Sequence, residues 1–377
     1  MKFSCEKYVL QQAALSAARA VASKSPVPSL EGLLVEAGDA VCITGYDLKR
    51  AIYTNMPADV AEQGSIVINA RLFCEMLRRM PDGVLTFSVE NNTVSVKCGK
   101  AHFDVIGISA EDYPELPAIE SARGLELPQN LLKTMINETS FAISNNDARP
   151  VYTGSLFELE QNELRIVSVD GYRLALRREA VEGYGEDCSF IVPGTALSDL
   201  ERFCEDSEET VKLAVGDKYI SFTVGDTVIL SRLLEGEFLN YRKAIPESFR
   251  VTVKVDRAEL LRKWNAPSNA SSPPCTSLIV DDKVRTPLRL TFNQDAVDFL
   301  CATPMGKAED VCPCEGDGQG LEIGFNDRYL SDALKNAPVD EVVLCLNTGS
   351  SPCILKAADE SANFTYMILP VRLRAGQ

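Results

Sequence analysis

Twelve cysteines, a single histidine and an excess of carboxylates are the side chains of this 377-residue chain with the chemistry for catalysis or metal binding. His102 is the only histidine, so a histidine-dependent triad has one candidate base, and it sits in a strand-like stretch. Cys312-Pro313-Cys314 is the one closely spaced cysteine pair. A zinc or dithiol site needs a second pair at suitable spacing, and none follows. Gly99-Lys100-Ala101 and Gly306-Lys307-Ala308 lack the upstream glycine and the hydroxyl residue of a phosphate-binding loop. Gly316-Asp317-Gly318-Gln319-Gly320 has the wrong spacing for a dinucleotide turn, and no Gly-x-Ser-x-Gly elbow occurs. No carboxylate pair is singled out by its surroundings. The expectation is a non-catalytic protein with no metal ligand and no cofactor.

Charge bears on partners. The formal net charge is −16, which on its own argues against a phosphate backbone as ligand. Distribution matters more than the sum. Basic residues gather in the helix-like stretches and the loops beside them: Arg19 and Lys24; Arg71, Arg78 and Arg79; Lys133 and Arg149; Arg257, Arg262 and Lys263. Acids concentrate in loops at 182–187, 205–209 and 309–317. Cys42, Cys74, Cys204 and Cys345 lie in apolar contexts, as small buried hydrophobes do in a reducing compartment. No apolar run approaches a membrane span, and the opening Met1-Lys2-Phe3-Ser4-Cys5-Glu6 does not read as a secretory leader. A cytoplasmic chain without a membrane partner is expected.

The elements that position these residues repeat. A strand leading into a helix start occurs at 66–77 (Ile66-Val67-Ile68-Asn69-Ala70), again at 190–200 (Phe190-Ile191-Val192-Pro193-Gly194) and again at 321–330 (Leu321-Glu322-Ile323-Gly324-Phe325-Asn326). Aligning Val67, Ile191 and Ile323 gives offsets of 124 and 132 residues, the size of a small domain rather than a solenoid unit. Each copy opens on a helix-like stretch: Glu6 to Ala22, Pro128 to Ala142, and Asp256 to Trp264, with Asp256 as N-cap. An apolar strand follows each: 30–35, 153–159 and 275–280. Thr44-Gly45-Tyr46-Asp47-Leu48 matches Ser168-Val169-Asp170-Gly171-Tyr172-Arg173-Leu174, whereas the third copy keeps the strand at 288–293 and lacks the glycine turn. The first two copies close on a strand and a proline-bearing tail, 103–117 and 228–246, and the third on 364–370. Three domains follow, 1–122, 123–246 and 247–377. Each is α+β, with two helices packed on antiparallel sheets of short alternating strands such as 93–96 and 211–215.

These residues resemble the bacterial sliding-clamp family, beta subunits of the replicative DNA polymerase, over nearly the whole chain. The resemblance is carried by Met1-Lys2-Phe3, Leu33-Leu34-Val35-Glu36-Ala37, Thr44-Gly45-Tyr46-Asp47-Leu48 and Ala110-Glu111-Asp112-Tyr113-Pro114. It continues through Asp170-Gly171-Tyr172-Arg173-Leu174-Ala175, Glu322-Ile323-Gly324-Phe325-Asn326 and Pro370-Val371-Arg372-Leu373. It implies three like domains per chain and a head-to-tail homodimer closed into a six-domain ring, with helices lining the hole. Such a processivity factor would encircle double-stranded DNA without reading sequence, so sparse inner cations suffice. The resemblance implies DNA contacts at Lys24, Arg71, Asn146 and Arg149.

It further implies a groove between the second and third domains. There, short linear motifs of the replicative polymerase, the clamp loader and repair proteins would dock. Its residues would be Tyr152, Gly171, Tyr172, Arg173, Leu174, Lys243, Ala244 and Pro352, with the terminal run Met367, Ile368, Leu369, Pro370, Val371, Arg372 and Leu373. The dimer seam would use Phe103 and Val105. The chain departs from the family pattern at Val169, where a small hydroxyl residue is common, and at Leu239, where proline is common. It departs again at Ala266-Pro267-Ser268-Asn269 near the seam, and in the extension Arg374-Ala375-Gly376-Gln377. A peptide-binding hub that no longer encircles DNA is the alternative reading, and an enzyme ranks behind both.

Overall fold

The computed structural model describes residues 1–119, 123–182, 187–265, 287–303, 306–359 and 362–373. The strand expected at 275–280, the segment Ala266–Asn269, the extension 374–377 and the boundary at Ala122 lie outside the described residues, as do the side chains of Lys263 and Trp264.

Two helices of nine or more residues recur in each third of the chain: Lys7–Ala17 and Ala70–Arg79, Gln129–Ser140 and Gly194–Phe203, Arg257–Asn265 and Asp327–Asn336. The second of each pair follows directly on a strand: Gly64–Asn69, Cys188–Pro193 and Leu321–Phe325. Local chemistry starts these helices. Asn69 Oδ1 accepts from the Leu72 amide at 3.0 Å, Asn326 Oδ1 from Arg328 at 3.1 Å, and Asp256 Oδ1 from Glu259 at 2.6 Å, each satisfying an amide the helix leaves open. Lys7–Ala17 buries Leu10, Ala13, Ala14 and Ala17, one stripe of a 3.6-residue period. It stops five residues short of the expected Ala22. A tight turn at Ala18–Ala20 follows, Val21 is extended, and the Ala22 amide bonds to Leu30 O at 3.0 Å.

The chain divides into two compact units. The first holds Met1–Lys133 and Thr195–Leu233; the second holds Thr134–Glu182, Glu186–Gly194 and Leu234–Gln377. The first contains a five-stranded sheet, in spatial order Asp59–Glu62, Lys2–Glu6, Val84–Glu90, Thr93–Cys98, Ala101–Ile106. It also contains an eight-stranded sheet, in order Arg123–Pro128, Thr210–Val215, Tyr219–Val224, Thr227–Arg232, Arg50–Met56, Val41–Tyr46, Gly32–Ala37, Gly64–Asn69. Four strands of this sheet come from the first third of the chain and four from the middle, and they join where Val228 pairs with Tyr53 and Leu230 with Ala51.

The second unit repeats the plan. Its eight-stranded sheet runs Cys188–Pro193, Gly154–Glu160, Glu163–Val169, Arg173–Ala180, Phe364–Ile368, Cys353–Ala357, Glu341–Leu346, Val251–Asp256. Middle and last thirds join at Leu174↔Met367 and Leu176↔Thr365. Its other sheet runs Gly306–Pro313, Ala296–Thr303, Leu288–Phe292, Leu321–Phe325. Among the described residues every strand pairing is antiparallel. Each unit has its own apolar core, centred on Phe3, Phe73 and Phe87 in the first and on Phe292, Phe325 and Tyr366 in the second.

Candidate partner groove and nucleic-acid contacts

In the second unit the turn Asp170-Gly171-Tyr172-Arg173 joins two strands of the eight-stranded sheet. Gly171 has φ +91°, a conformation that costs glycine little, and a Cβ there would meet open space. Asp170 Oδ1 accepts from the amides of Tyr172 at 2.9 Å and Arg173 at 3.0 Å. Its other oxygen accepts from Arg173 Nε at 2.9 Å. The far arm of the guanidinium donates to Asp332 Oδ2 at 2.7 Å, on the helix Asp327–Asn336. The guanidinium carbon also lies 4.7 Å from the centre of the Tyr329 ring. Tyr329 in turn stacks on Tyr172 with centroids 6.0 Å apart, and Tyr172 is 59% exposed. Arg173 is thus a buried tie between turn and helix. It holds a stacked tyrosine pair at the rim, Tyr172 exposed and Tyr329 half-buried, and is not a free cation.

Beside this turn the period of two divides the strands into faces. Leu174 lies opposite Met367 and Val169, and Met367 opposite Ile354. With Val167, Val343, Cys345 and Tyr241 they form a buried apolar floor, covered where Tyr152, Phe238 and Ala244 pack against it. Tyr152 meets Phe238 edge-on at 5.6 Å. Val169, one of the departures from the family pattern, belongs to this floor and makes it more apolar. Leu239, another, is 37% exposed.

Two expected groove residues turn to the other face of the sheet, Arg173 and, directly opposite it, Ile368. Ile368 follows Met367, so it points through the sheet into the core with Cys353 and Leu355. Leu369 continues the edge, its amide donating to Tyr172 O at 2.8 Å. Pro370 is half-buried, and Val371 N donates to Gly324 O at 2.8 Å. Leu373 lies over Gly324, while Arg372 and Lys243 are exposed. Pro352 is half-buried just ahead of its strand. Sequence reasoning missed Tyr329, Asp332, Phe238, Val343, Cys345 and Ile354. Tyr329 was visible as part of the third repeat, but a repeat mark says nothing about which rings will meet.

The first unit contains the same tie. Asp47 Oδ1 accepts from the amides of Lys49 at 2.9 Å and Arg50 at 2.7 Å. Arg50 Nη1 reaches Asp199 Oδ2 at 2.6 Å, on the helix Gly194–Phe203. Arg19 bridges the other Asp199 oxygen at 2.7 Å. Asp199 and Asp332 are each the sixth residue of their helices. Here Leu48 takes the left-handed position of Gly171, at φ +73°.

This revises the basic clusters. Arg19 is committed to Asp199, Lys133 to Asp206 at 3.0 Å, Arg78 to Glu75 and Arg262 to Glu259. Arg257 donates to Val339 O at 2.6 Å. Lys24 and Arg71 are exposed in the first unit without an ion pair among the described residues. Asn146 and Arg149 are exposed in the second. Asn146 Oδ1 accepts from the Ala148 amide at 2.9 Å, and Arg149 sits over the Tyr152 ring at 5.6 Å.

The strand Ala101–Ile106 is an open sheet edge, as is Gly306–Pro313 in the second unit. Phe103 and Val105 are half-buried against their own core, because alternation turns them inward. Ile106, 76% exposed, faces out. Of the four cysteines expected inside, Cys74, Cys204 and Cys345 are buried and Cys42 is half-buried. Burial pushes the Cys204 thiol up to about 11.

One buried carboxylate was not anticipated. Glu138, on the helix Gln129–Ser140, is 6% exposed and 2.8 Å from Arg177 Nε. Burial pushes its pKa up to about 7, against the pull of Arg177 and with the repulsion of Glu179.

Comparison with known proteins covers nearly the length of the chain. The N-terminal, central and C-terminal domain families of the DNA polymerase III beta subunit match residues 1–117, 126–240 and 242–372. The beta sliding clamp of Bacillus subtilis is 28% identical, across 99% of this chain and 100% of its own. That of Staphylococcus aureus is 29% identical, over 94% of each. The crystal structure of the Bacillus subtilis DNA polymerase sliding clamp superposes with a TM-score of 0.92 at 27% identity, covering 99% of this chain and 100% of that one. A Pseudomonas aeruginosa sliding clamp bound to griselimycin superposes with a TM-score of 0.91 at 26% identity, with the same coverage. No described helix is long and apolar enough to cross a membrane.

Proposed function

The chain belongs to the DNA polymerase III beta-subunit family and is a non-catalytic sliding clamp; on that premise we propose that two copies close head to tail into a ring around duplex DNA in the cytoplasm. The observation that carries this reading is the pattern of sheet joins. Within the chain, the closing strand of one repeat pairs with the strand after the tight turn of its neighbour: Thr227–Arg232 with Arg50–Met56, and Phe364–Ile368 with Arg173–Ala180. Two strands of the same kinds stay open, Ala101–Ile106 and Gly306–Pro313. Pairing them between copies repeats the join a third time and removes the exposed edges. Phe103 and Val105 back that strand from its inner face. The repeats that close in this way are 1–122, 123–246 and 247–377.

Lys24, Arg71, Asn146 and Arg149 are the proposed DNA contacts. They are few and make no appeal to base identity, so attachment is topological and sliding is not resisted. The apolar floor of Leu174 and Met367, with Tyr152, Ala244 and Lys243 on one side and Gly171, Tyr172 and the 369–373 run with Pro352 on the other, is the proposed dock. It would take linear motifs of polymerase, clamp loader and repair proteins. Burying one Leu or Phe there contributes about 1.5–3 kcal/mol. The test loads the clamp on nicked circular DNA and on the linearised form, then filters by size. Retention on the circle and loss from the linear form is expected. Equal retention on both would replace the ring with the hub reading. Charge reversal at Lys24 and Arg149 is expected to lower loading while leaving dimerisation unchanged.

A further inference from the structure

The apolar floor does not stop at Leu174 and Met367. Two residues along each strand, the same sheet face carries Leu176 opposite Thr365 and Val167. Two further, it carries Arg178 opposite Arg165. There the sheet and the segment 241–247 border an open cavity of about 320 Å³, lined by Leu176, Thr365, Tyr241, Ile245 and Pro246 with three guanidinium groups. Two of the three are already neutralised. Arg165 pairs with Glu160 at 2.8 Å and with Glu163, and Arg242 pairs with Glu160 at 2.6 Å and Glu158 at 3.0 Å. Arg178 is exposed and has no carboxylate within bridging distance among the described residues; its amide donates to Asn363 O at 3.0 Å. Glu247 also lines the cavity, from the exposed loop.

We propose that this cavity is a second subsite of the groove and receives a carboxylate of the docked peptide on Arg178. The inference rests on the groove reading above. From Leu174 to Arg178 is four residues of strand, about 13 Å at roughly 3.3 Å each. An extended peptide lying along the strands, its apolar anchor over Leu174 and Met367, places a side chain four positions away at Arg178. Arg165 beside it is taken up by Glu160 and Glu163, so among the described residues of the cavity Arg178 alone offers an unpaired cation to an incoming anion. The specificity is for peptides carrying Asp or Glu, or the terminal carboxylate, at that distance from the anchor.

Fluorescence anisotropy on the full-length dimer tests this with labelled peptides sharing one Leu-Phe anchor. One set carries Asp four positions before the anchor, one carries Asp four positions after it, one ends in a free carboxylate there, and controls carry Asn or an amide. One acidic arm is expected to bind about three- to ten-fold tighter than its neutral control, with the gain shrinking as salt rises. The gain should vanish in Arg178→Gln and grow in Glu247→Gln, while both variants bind the neutral peptide as the wild type does. Which arm gains tells a side-chain carboxylate from the chain end. Equal binding of all acidic and neutral peptides, with Leu174→Asp abolishing every one, would overturn the subsite and leave the groove standing. If no peptide binds, the groove reading itself falls and the subsite with it.

Discussion

Asp199 and Asp332 hold equivalent places in two helices and differ in burial, 2% against 25% of the side chain exposed. That difference should set the cost of removing their arginines. Stripping Arg19 and Arg50 together leaves Asp199 charged and dry, and about 3–5 kcal/mol of stability should be lost. Arg173→Ala leaves Asp332 with access to water and should cost about 1–2 kcal/mol. Urea unfolding of the two variants checks the order; a larger loss from Arg173→Ala would contradict the burial argument. Glu138 gives a pH signature. Its folded pKa, about 7, lies above the ordinary carboxylate value of 4.5, so between those values the folded form holds a proton that the unfolded chain has released. Its contribution is therefore most favourable below about pH 4.5, is lost as pH rises towards 7, and is constant above. Glu138→Gln should flatten that part of the stability profile, which thermal melts from pH 5 to 8 would register.

Among the elements, Gly45 and Gly171 mark different constraints. A Cβ on Gly45, in the strand Val41–Tyr46, would lie 2.0 Å from the carbonyl oxygen of Ala17, at the end of a helix packed on that strand. Gly45→Ala must push helix and sheet apart, at about 1–3 kcal/mol or more. Gly171→Ala meets only the torsional penalty, about 1 kcal/mol. A pair of melting curves separates them, and equal shifts would mean the helix end yields more easily than its packing suggests. The same elements show what the sequence could convey. Helix stripes, caps such as Asp256 and the strands flanking them were readable because their causes are local: period, side-chain length, one oxygen near one amide. The Asp170–Leu174 turn was readable as a repeat of Thr44–Leu48, whereas its place in a groove came only from the family resemblance. Tyr329, Val343 and Ile354 were not, since only the pairing of distant strands and the docking of a helix bring them to the floor. Arg173 and Ile368 were misplaced because runs of groove residues were carried over whole, although a strand can give only alternate members to one face. The arginines misled too, because a cation counted in sequence gives no hint of the buried aspartate that has claimed it.

Across the whole molecule, what repeats and what packs do not coincide. Sequence repetition cuts the chain into thirds, whereas each eight-stranded sheet takes four strands from the middle third and four from an outer one. Either sheet join opens only if a full strand of main-chain bonds breaks, so both should resist denaturant together with the cores they border. Amide exchange at Ile229 and Leu230, and at Ala175 and Leu176, should be as slow as in the core strands. Fast exchange there, with slow exchange at Val94 and Ile166, would identify the joins as weak points. The middle third also cannot be lifted out. Cut free, it would present Thr227–Arg232 and Arg173–Ala180 as two bare, apolar-backed edges. Expressed alone it should oligomerise or precipitate. The segment that recurs as one unit along the sequence does not close as one unit in the fold: each repeat finishes its sheet with strands borrowed from its neighbour.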